Sequence, residues 1–215
     1  MAGFTGMGRW AAGQLAQLPM FRWGLGLGAI VLAISSLFGG LDTAEEKNTA
    51  VNAEIDGGPW KVTVTGARLV GELPPMRLSD KNNLWIVVLA TVEITADHTW
   101  SSLGEVVQLA PVEGVKAKVT KTLAGTSVQR NVGIVLMRDA TRISQLNPGM
   151  PEKLAFFWEL TGTSKIPAEV KVYIGSMEHR RDNLTSHMSW MDDSARNKPV
   201  VVPVVDRRAA TAGTS

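Results

Sequence analysis

The chain has 215 residues, enough for one ordinary domain with appendages and short of two full ones. Its 22 basic and 20 acidic residues leave a net charge of +2, and Arg9 and Arg22 supply that surplus, so from Leu41 onward the charge is balanced. No basic surface of the kind that displaces counterions from phosphates is encoded, which excludes nucleic acid as a partner, and the absence of cysteine excludes disulfides, thiolate metal sites and a cysteine nucleophile together.

Residues 1–17 hold no acid and read as a cytoplasmic N-terminal segment. The run that follows, Leu18 to Leu41, is apolar apart from Arg22. At 1.5 Å per residue it crosses a hydrocarbon core of about 30 Å, which predicts a transmembrane helix over 18–41. Arg9 and Arg22 lie before it, and Asp42, Glu45 and Glu46 come after it. The positive-inside rule therefore keeps the N-terminus in the cytoplasm and places the rest outside the inner membrane, as a single-pass protein. A cleavable signal peptide is the alternative, because Leu25 to Phe38 has signal-peptide length and Gly39 and Gly40 are small. The lack of a small-x-small cleavage site and a long n-region favour a retained anchor.

Within WGLGLGAIVLAISSLFGG, Gly24 and Gly28 share a helix face, and Ala29 and Ala33 continue a neighbouring strip of small side chains. Glycine lowers helix propensity. The expectation is a face that packs on the transmembrane helices of an integral-membrane partner or of a second copy, against the alternative that glycine is simply common in membrane segments.

Residues 42–58 are polar and charged and read as a linker. The domain then runs from 59 to 205. WKVTVTGARLV alternates Val62 and Val64 with Thr63 and Thr65, the period of a half-buried strand. NLWIVVLATVEIT is almost continuously apolar and β-branched, as a strand in the middle of a sheet should be. Further strands are predicted at EVVQLA, VKAKV, GIVLM, LAFFWEL and AEVKVYIG. No helical periodicity intervenes, so the fold class is mainly β: a single antiparallel immunoglobulin-like β-sandwich preceded by one transmembrane helix. In QLNPGMPEKLAFFWEL, Pro148 presets φ and Gly149 permits φ > 0, as a type II turn requires. In the strand it launches, Leu154, Phe156 and Trp158 share one face, and Lys153, Ala155, Phe157 and Glu159 the other.

The order of LWIVVLATVEIT, a middle region of weaker strands, Leu146-x-Pro148-Gly149 with its aromatic strand, and the closing VKVYIG resembles the DUF4352, telokin-like immunoglobulin-like domains of bacterial envelope proteins, over roughly Pro59 to Gly175. The resemblance implies a structural corner at Leu146, Pro148 and Gly149, with no catalytic role. Many such domains are tethered by a lipidated cysteine or an N-terminal helix; this chain lacks the cysteine and has the apolar run.

Residues 176–198 lie beyond that likeness and read as a loop extension. They gather Met177, His179, His187, Met188 and Met191, the thioether and imidazole donors that select copper. No regular His-x-x-Met repeat supports a ligand set. A surface loop that packs its methionines and Trp190 onto the sandwich is the preferred reading, with no metal and no cofactor expected. NKPVVVPVVDRR supplies a last strand whose Pro199 and Pro203 suit an edge. Val200, Val202 and Val204 either close the protein's own sheet or offer an edge to a partner. Residues 206–215 are small and polar and read as a disordered tail.

Catalytic schemes find little purchase. Asp97, His98, Ser101 and Ser102 share one short loop and cannot converge as a triad, so His98 reads as a solvent-facing turn residue. No nucleophile elbow, phosphate loop or dinucleotide fingerprint is present. The expected function is that of a non-catalytic, membrane-anchored envelope protein whose sandwich binds or steadies a membrane partner, as an accessory subunit of a transporter or of envelope-assembly machinery. The alternative is an extracytoplasmic ligand- or metal-binding module tethered to the membrane.

Overall fold

The computed structural model describes residues 47–74 and 76–208. The predicted segment 1–17, the membrane span 18–41 with Gly24, Gly28, Ala29 and Ala33, and residues 209–215 of the expected tail 206–215 lie outside the described residues, whereas Asp206 belongs to the last described strand and Arg207 donates its N–H to Leu69 O. No helix among the described residues is long and apolar enough to cross a membrane.

The described residues form twelve strands and two short 3-10 turns. β1 is Glu54–Asp56, β2 Trp60–Val70, β3 Leu84–Ile94, β4 Val107–Leu109, β5 Val119–Lys121 and β6 Ser127–Gln129. β7 is Gly133–Leu136, β8 Glu152–Leu160, β9 Glu169–Ile174, β10 Met177–Arg181, β11 Met188–Asp192 and β12 Lys198–Asp206. Ten of them form one continuous sheet in the order β5-β6-β4-β9-β12-β2-β3-β8-β7, with β1 added on β2, and β10-β11 stand as a separate two-stranded sheet.

The ten-stranded sheet doubles into two layers at β12. Lys198 to Pro203 pair antiparallel with β9, whereas Val204 to Asp206 pair in parallel with Ala67 to Leu69 of β2. The change of partner falls at Pro203, whose missing N–H cannot continue a ladder. This corrects the wholly antiparallel expectation. It also corrects the reading of Val200, Val202 and Val204 as an exposed edge: Val200 and Val202 are 0% exposed in the core, and Val204 packs half-buried against it. β12 is paired to β9, to β2 and, through Thr49 N to Pro199 O at 2.7 Å, to the segment that precedes β1. β5 forms one end of the sheet path, and all three of its residues are exposed.

One apolar cluster fills the space between the layers, combining Val62, Val64 and Leu69 of β2, Ile86 and Val88 of β3, and Leu154, Phe156 and Trp158 of β8 with Val170, Val172 and Ile174 of β9. β2 changes its inward parity in mid-strand. Val62 and Val64 face in, then Ala67 and Leu69, because a bulge between Val64 and Gly66 inserts one residue against β3. A second cluster, Trp85, Val87, Val135, Ala155 and Phe157, lies on the outer face of β3, β7 and β8 beneath Leu73, Met76 and Leu78. The first half of β3 is thus buried on both faces, which is why its sequence reads as continuously apolar.

Glu159 holds that covering loop down. Its Oε1 accepts hydrogen bonds from Ser79 N at 2.9 Å, Ser79 Oγ at 2.6 Å and Asn83 Nδ2 at 2.5 Å, with Lys116 Nζ at 3.6 Å. Burial by itself would raise the Glu159 pKa, but the donors from Ser79 and Asn83 and the Lys116 charge outweigh it and hold the carboxyl below its ordinary value.

Three further expectations change. The linker 42–58 contains β1, so the ordered domain begins before 59; Ile55 is buried against β2. The strand expected at VKAKV starts only at Val119. The loop extension 176–198 is a β-hairpin, paired from Met177↔Asp192 to Arg181↔Met188. The corner at Pro148-Gly149 is as expected: Gly149 has φ +74° and donates its N–H to Ile94 O at 2.9 Å.

Candidate functional site

The chemistry-bearing side chains converge along one face of the β10–β11 hairpin, where three segments far apart in sequence meet. The first leaves the end of β3. Thr95 and Ala96 donate their N–H groups to Pro59 O, and Thr95 Oγ1 donates to Gly58 O. That fixes the turn carrying Asp97 and His98. Trp100 follows, and a reciprocal pair of backbone hydrogen bonds to Leu146, both 2.9 Å, locks it to the second segment, just before the Pro148 corner. Its ring packs edge-on against the fully buried Trp60 at 5.2 Å.

The hairpin is the third segment. It docks through Met177 N to Gly57 O at 2.8 Å, next to Gly58, which has φ +94° and leaves no room for a Cβ against the Met177 carbonyl and the Trp190 ring. The register places Met177, His179 and Arg181 opposite Asp192, Trp190 and Met188, and residues facing each other across the ladder share a face. Met191 and Glu178 belong to the other face.

A cleft of about 330 Å3 results, lined by His98, Trp100, His179, Met188, Ser189 and Trp190. Each imidazole lies against an indole: His98 to Trp100 at 5.7 Å and His179 to Trp190 at 4.9 Å between ring centroids. His98 Nδ1 is 2.8 Å from Asp97 Oδ1. The hydrogen bond from His98 is the main cause of a lowered Asp97 pKa, with a smaller contribution from the charge of His179. Ser189 borders the cleft but pairs with Arg180 on the other face of the ladder and makes no side-chain hydrogen bond to either imidazole, so no nucleophile and base are coupled there.

The five tail residues singled out in the sequence are therefore divided. His179 and Met188 line the cleft. Met177 shares their face at the hairpin base and packs on the core. Met191 faces away, with its sulfur accepting from Arg180 Nε at 3.2 Å, and His187 sits in the hairpin turn, its carbonyl accepting from Asp182 N. His98 is an exposed turn residue, as the sequence reading expects, and it lines the same cleft as His179. The signal was not local: it lay in the pairing of Trp100 with Leu146. Among the described residues, no group of three or more His, Asp or Glu side chains is arranged to hold a metal ion.

No family model matches the chain, so the telokin-like, DUF4352 resemblance has no such match, and no curated protein matches it either. Two solved structures align with it. An uncharacterized β-sandwich protein from Clostridium difficile 630 is 12% identical, covering 75% of this chain and 97% of that one with a TM-score of 0.44. The secreted protein MPT63 from Mycobacterium tuberculosis is 11% identical, covering 75% of this chain and 99% of that one with a TM-score of 0.35. The assignment to a mainly β, sandwich-like fold rests on the strand pairing and the shared core described above.

Proposed function

We propose that this chain is a non-catalytic, single-pass envelope protein. Residues 18–41 span the inner membrane with the N-terminus in the cytoplasm, and the sandwich, of the immunoglobulin-like, telokin-like kind, serves outside as a binding module for an integral-membrane partner or a second copy. An accessory subunit of a transporter or of an envelope-assembly complex fits this description.

The observation that carries the binding reading is the cleft beneath the hairpin. It gathers two imidazoles, two indoles and a thioether on a rigid scaffold, a set suited to holding a ligand, while the carboxylates with specific partners elsewhere act structurally. Glu159 ties a loop down, and Asp139 and Asp182 accept backbone N–H groups of their own turns. The tethering reading rests on Arg9 and Arg22 before the apolar run and the acids after it.

The test is topology together with association. A reporter fused after Ser215 is expected to behave as extracytoplasmic; a cytoplasmic reporter refutes the orientation. The full chain, purified in mild detergent, is expected to bring a stoichiometric membrane partner or a copy of itself, and Gly24→Leu with Gly28→Leu to reduce that association while the protein still inserts. Unchanged association in this variant assigns the contact to the sandwich instead. A second reading, a tethered ligand-binding module, is favoured by the same cleft, and a chain isolated alone with a bound ligand supports it.

A further inference from the structure

The cleft along the hairpin face carries more specific chemistry than a generic binding surface. His98 is held at Nδ1 by Asp97, 2.8 Å away, so its proton belongs on Nδ1 and the Nε2 lone pair is left free for a ligand. A carboxylate on the far nitrogen of an imidazole is the outer-shell arrangement found behind metal-bound histidines, where it fixes the tautomer and raises basicity. Across the cleft, His179 and Met188 are diagonal neighbours on one face of the β10–β11 ladder, about 7–8 Å apart at the backbone and within reach of a long thioether side chain.

Met188 is 54% exposed, a thioether at the rim of the cleft and outside the core. Trp190 lines the cleft beside His179, their rings tilted by 37° with centroids 4.9 Å apart. The donor count also discriminates among metals. Of the carboxylates near the cleft, Asp97 is engaged by His98 and Asp192, on the same ladder face, lines a different cavity, and no three His, Asp or Glu side chains among the described residues are arranged around one point. That omits the oxygen-rich set that a hard cation requires, and leaves two nitrogens and one sulfur, which suit a soft ion of low coordination number.

We propose that this cleft is a site for a soft monovalent metal ion, Cu(I) or its surrogate Ag(I), held by His98 Nε2, an imidazole nitrogen of His179 and the Met188 thioether, with the Trp190 indole face beside the ion. The indole adds a cation–π contact and leaves the metal accessible from one side. The site goes beyond partner binding and rests only on the cleft being a ligand site: binding is a property of the chain alone, whatever the membrane partner proves to be. The set differs from the one the sequence assembles, because Met191 and His187 are directed elsewhere and His98 replaces them.

The experiment is titration of the purified full chain with Ag(I), and anaerobically with Cu(I) buffered by a chromogenic chelator, reading tryptophan emission and metal stoichiometry. One ion per chain is expected, with emission quenched as the ion reaches Trp190 and with Zn(II) competing poorly. Met188→Leu keeps the side-chain volume and is expected to weaken binding about 10-fold or more, and His98→Gln with His179→Gln about 100-fold or more. Asp97→Asn, which only positions His98, is expected to weaken it about 10-fold. His187→Gln with Met191→Leu is expected to bind as wild type. All the substituted side chains except Met191 are exposed, and unchanged β circular dichroism shows that each variant is folded. Wild type that binds no Ag(I) or Cu(I) at micromolar concentration overturns the proposal, as does binding that survives the double histidine variant or is lost in the His187→Gln, Met191→Leu protein. A failure here leaves co-purification with a membrane partner untouched, so the two readings fall separately.

Discussion

Glu159 offers a quantitative test of how the outer face of the sandwich is closed. Replacing it with alanine removes one acceptor from three donors. Asn83 is 4% exposed, so its amide has little water to turn to, and losing a charge-assisted bond there costs about 1.5–3 kcal/mol. Ser79 is exposed and can rehydrate, which limits the loss of its two bonds to about 1 kcal/mol together. The expected cost of Glu159→Ala is therefore about 2–4 kcal/mol. Glu159→Gln, which keeps an acceptor oxygen and loses the charge, should cost about half as much. Lys116→Ala should cost about 0–1 kcal/mol, since its ammonium end is 43% exposed and the ion pair is screened. Because the folded carboxyl titrates below its ordinary 4.5, the full contribution is present above that pH. As pH falls through 4.5 the unfolded chain takes up a proton that the folded one refuses, and the contribution fades until the folded site protonates too. Urea unfolding of residues 47–208 at pH 7 and through the acid range measures both effects. A Glu159→Ala protein within about 0.5 kcal/mol of wild type, or a Lys116→Ala protein destabilised as much as Glu159→Ala, refutes the reasoning.

The remaining predictions concern packing. In Gly133→Ala, the new methyl runs into the Phe157 ring, which lies directly over this position, so a cost of about 1–3 kcal/mol is expected in the same assay; a neutral effect would show that the second cluster is loosely packed. Val202→Asp places a carboxylate at a fully buried position of β12 and should abolish cooperative unfolding of the domain. A folded Val202→Asp protein that lost only a partner would restore the exposed-edge reading.

The parts of the fold visible in sequence are those where burial and period coincide. Val62 and Val64 on β2, the apolar run of β3, and Leu154, Phe156 and Trp158 on β8 all announce an inward face, and Pro148-Gly149 carries its turn in its own backbone preferences. β1 escapes because Glu54–Asp56 has a single inward side chain, Ile55, too few to set a period. The bulge between Val64 and Gly66 escapes because it is a property of the pairing with β3. The hairpin escapes for a different reason. MEHRR and MSWMD carry too few apolar residues to set a period, and their order comes from their mutual ladder, from docking at Gly57 and Gly58, and from Met177 and Trp190 packing against the core. The cleft was half legible. His179 and Met188 were noticed for their donor types, but His98 needed Trp100 to be seated on Trp60 and tied to Leu146, two long-range contacts without a local trace.

The change of partner at Pro203 has a consequence for the order of assembly. β12 is the last strand of the domain, yet it is the one that pairs with β9 in one layer and with β2 in the other, so the register Ala67↔Val204 joins nearly the two ends of the described chain. A chain that emerges from the N-terminal end can pair β2 with β3, and β3 with β8, as soon as these are made, but the two layers have no covalently continuous strand between them until residues 198–206 arrive. Long-range closure of this kind pays its loop entropy before its contacts are gained, and folds slowly. Until then β9 and the Ala67–Leu69 part of β2, beyond the stretch that β1 covers, each present an unpaired edge, and an arrested or truncated chain ending before Lys198 is left as a pair of open, sticky sheets. The final nine-residue strand works as a late latch, and the interval before it closes is when the young protein most needs protection from its neighbours.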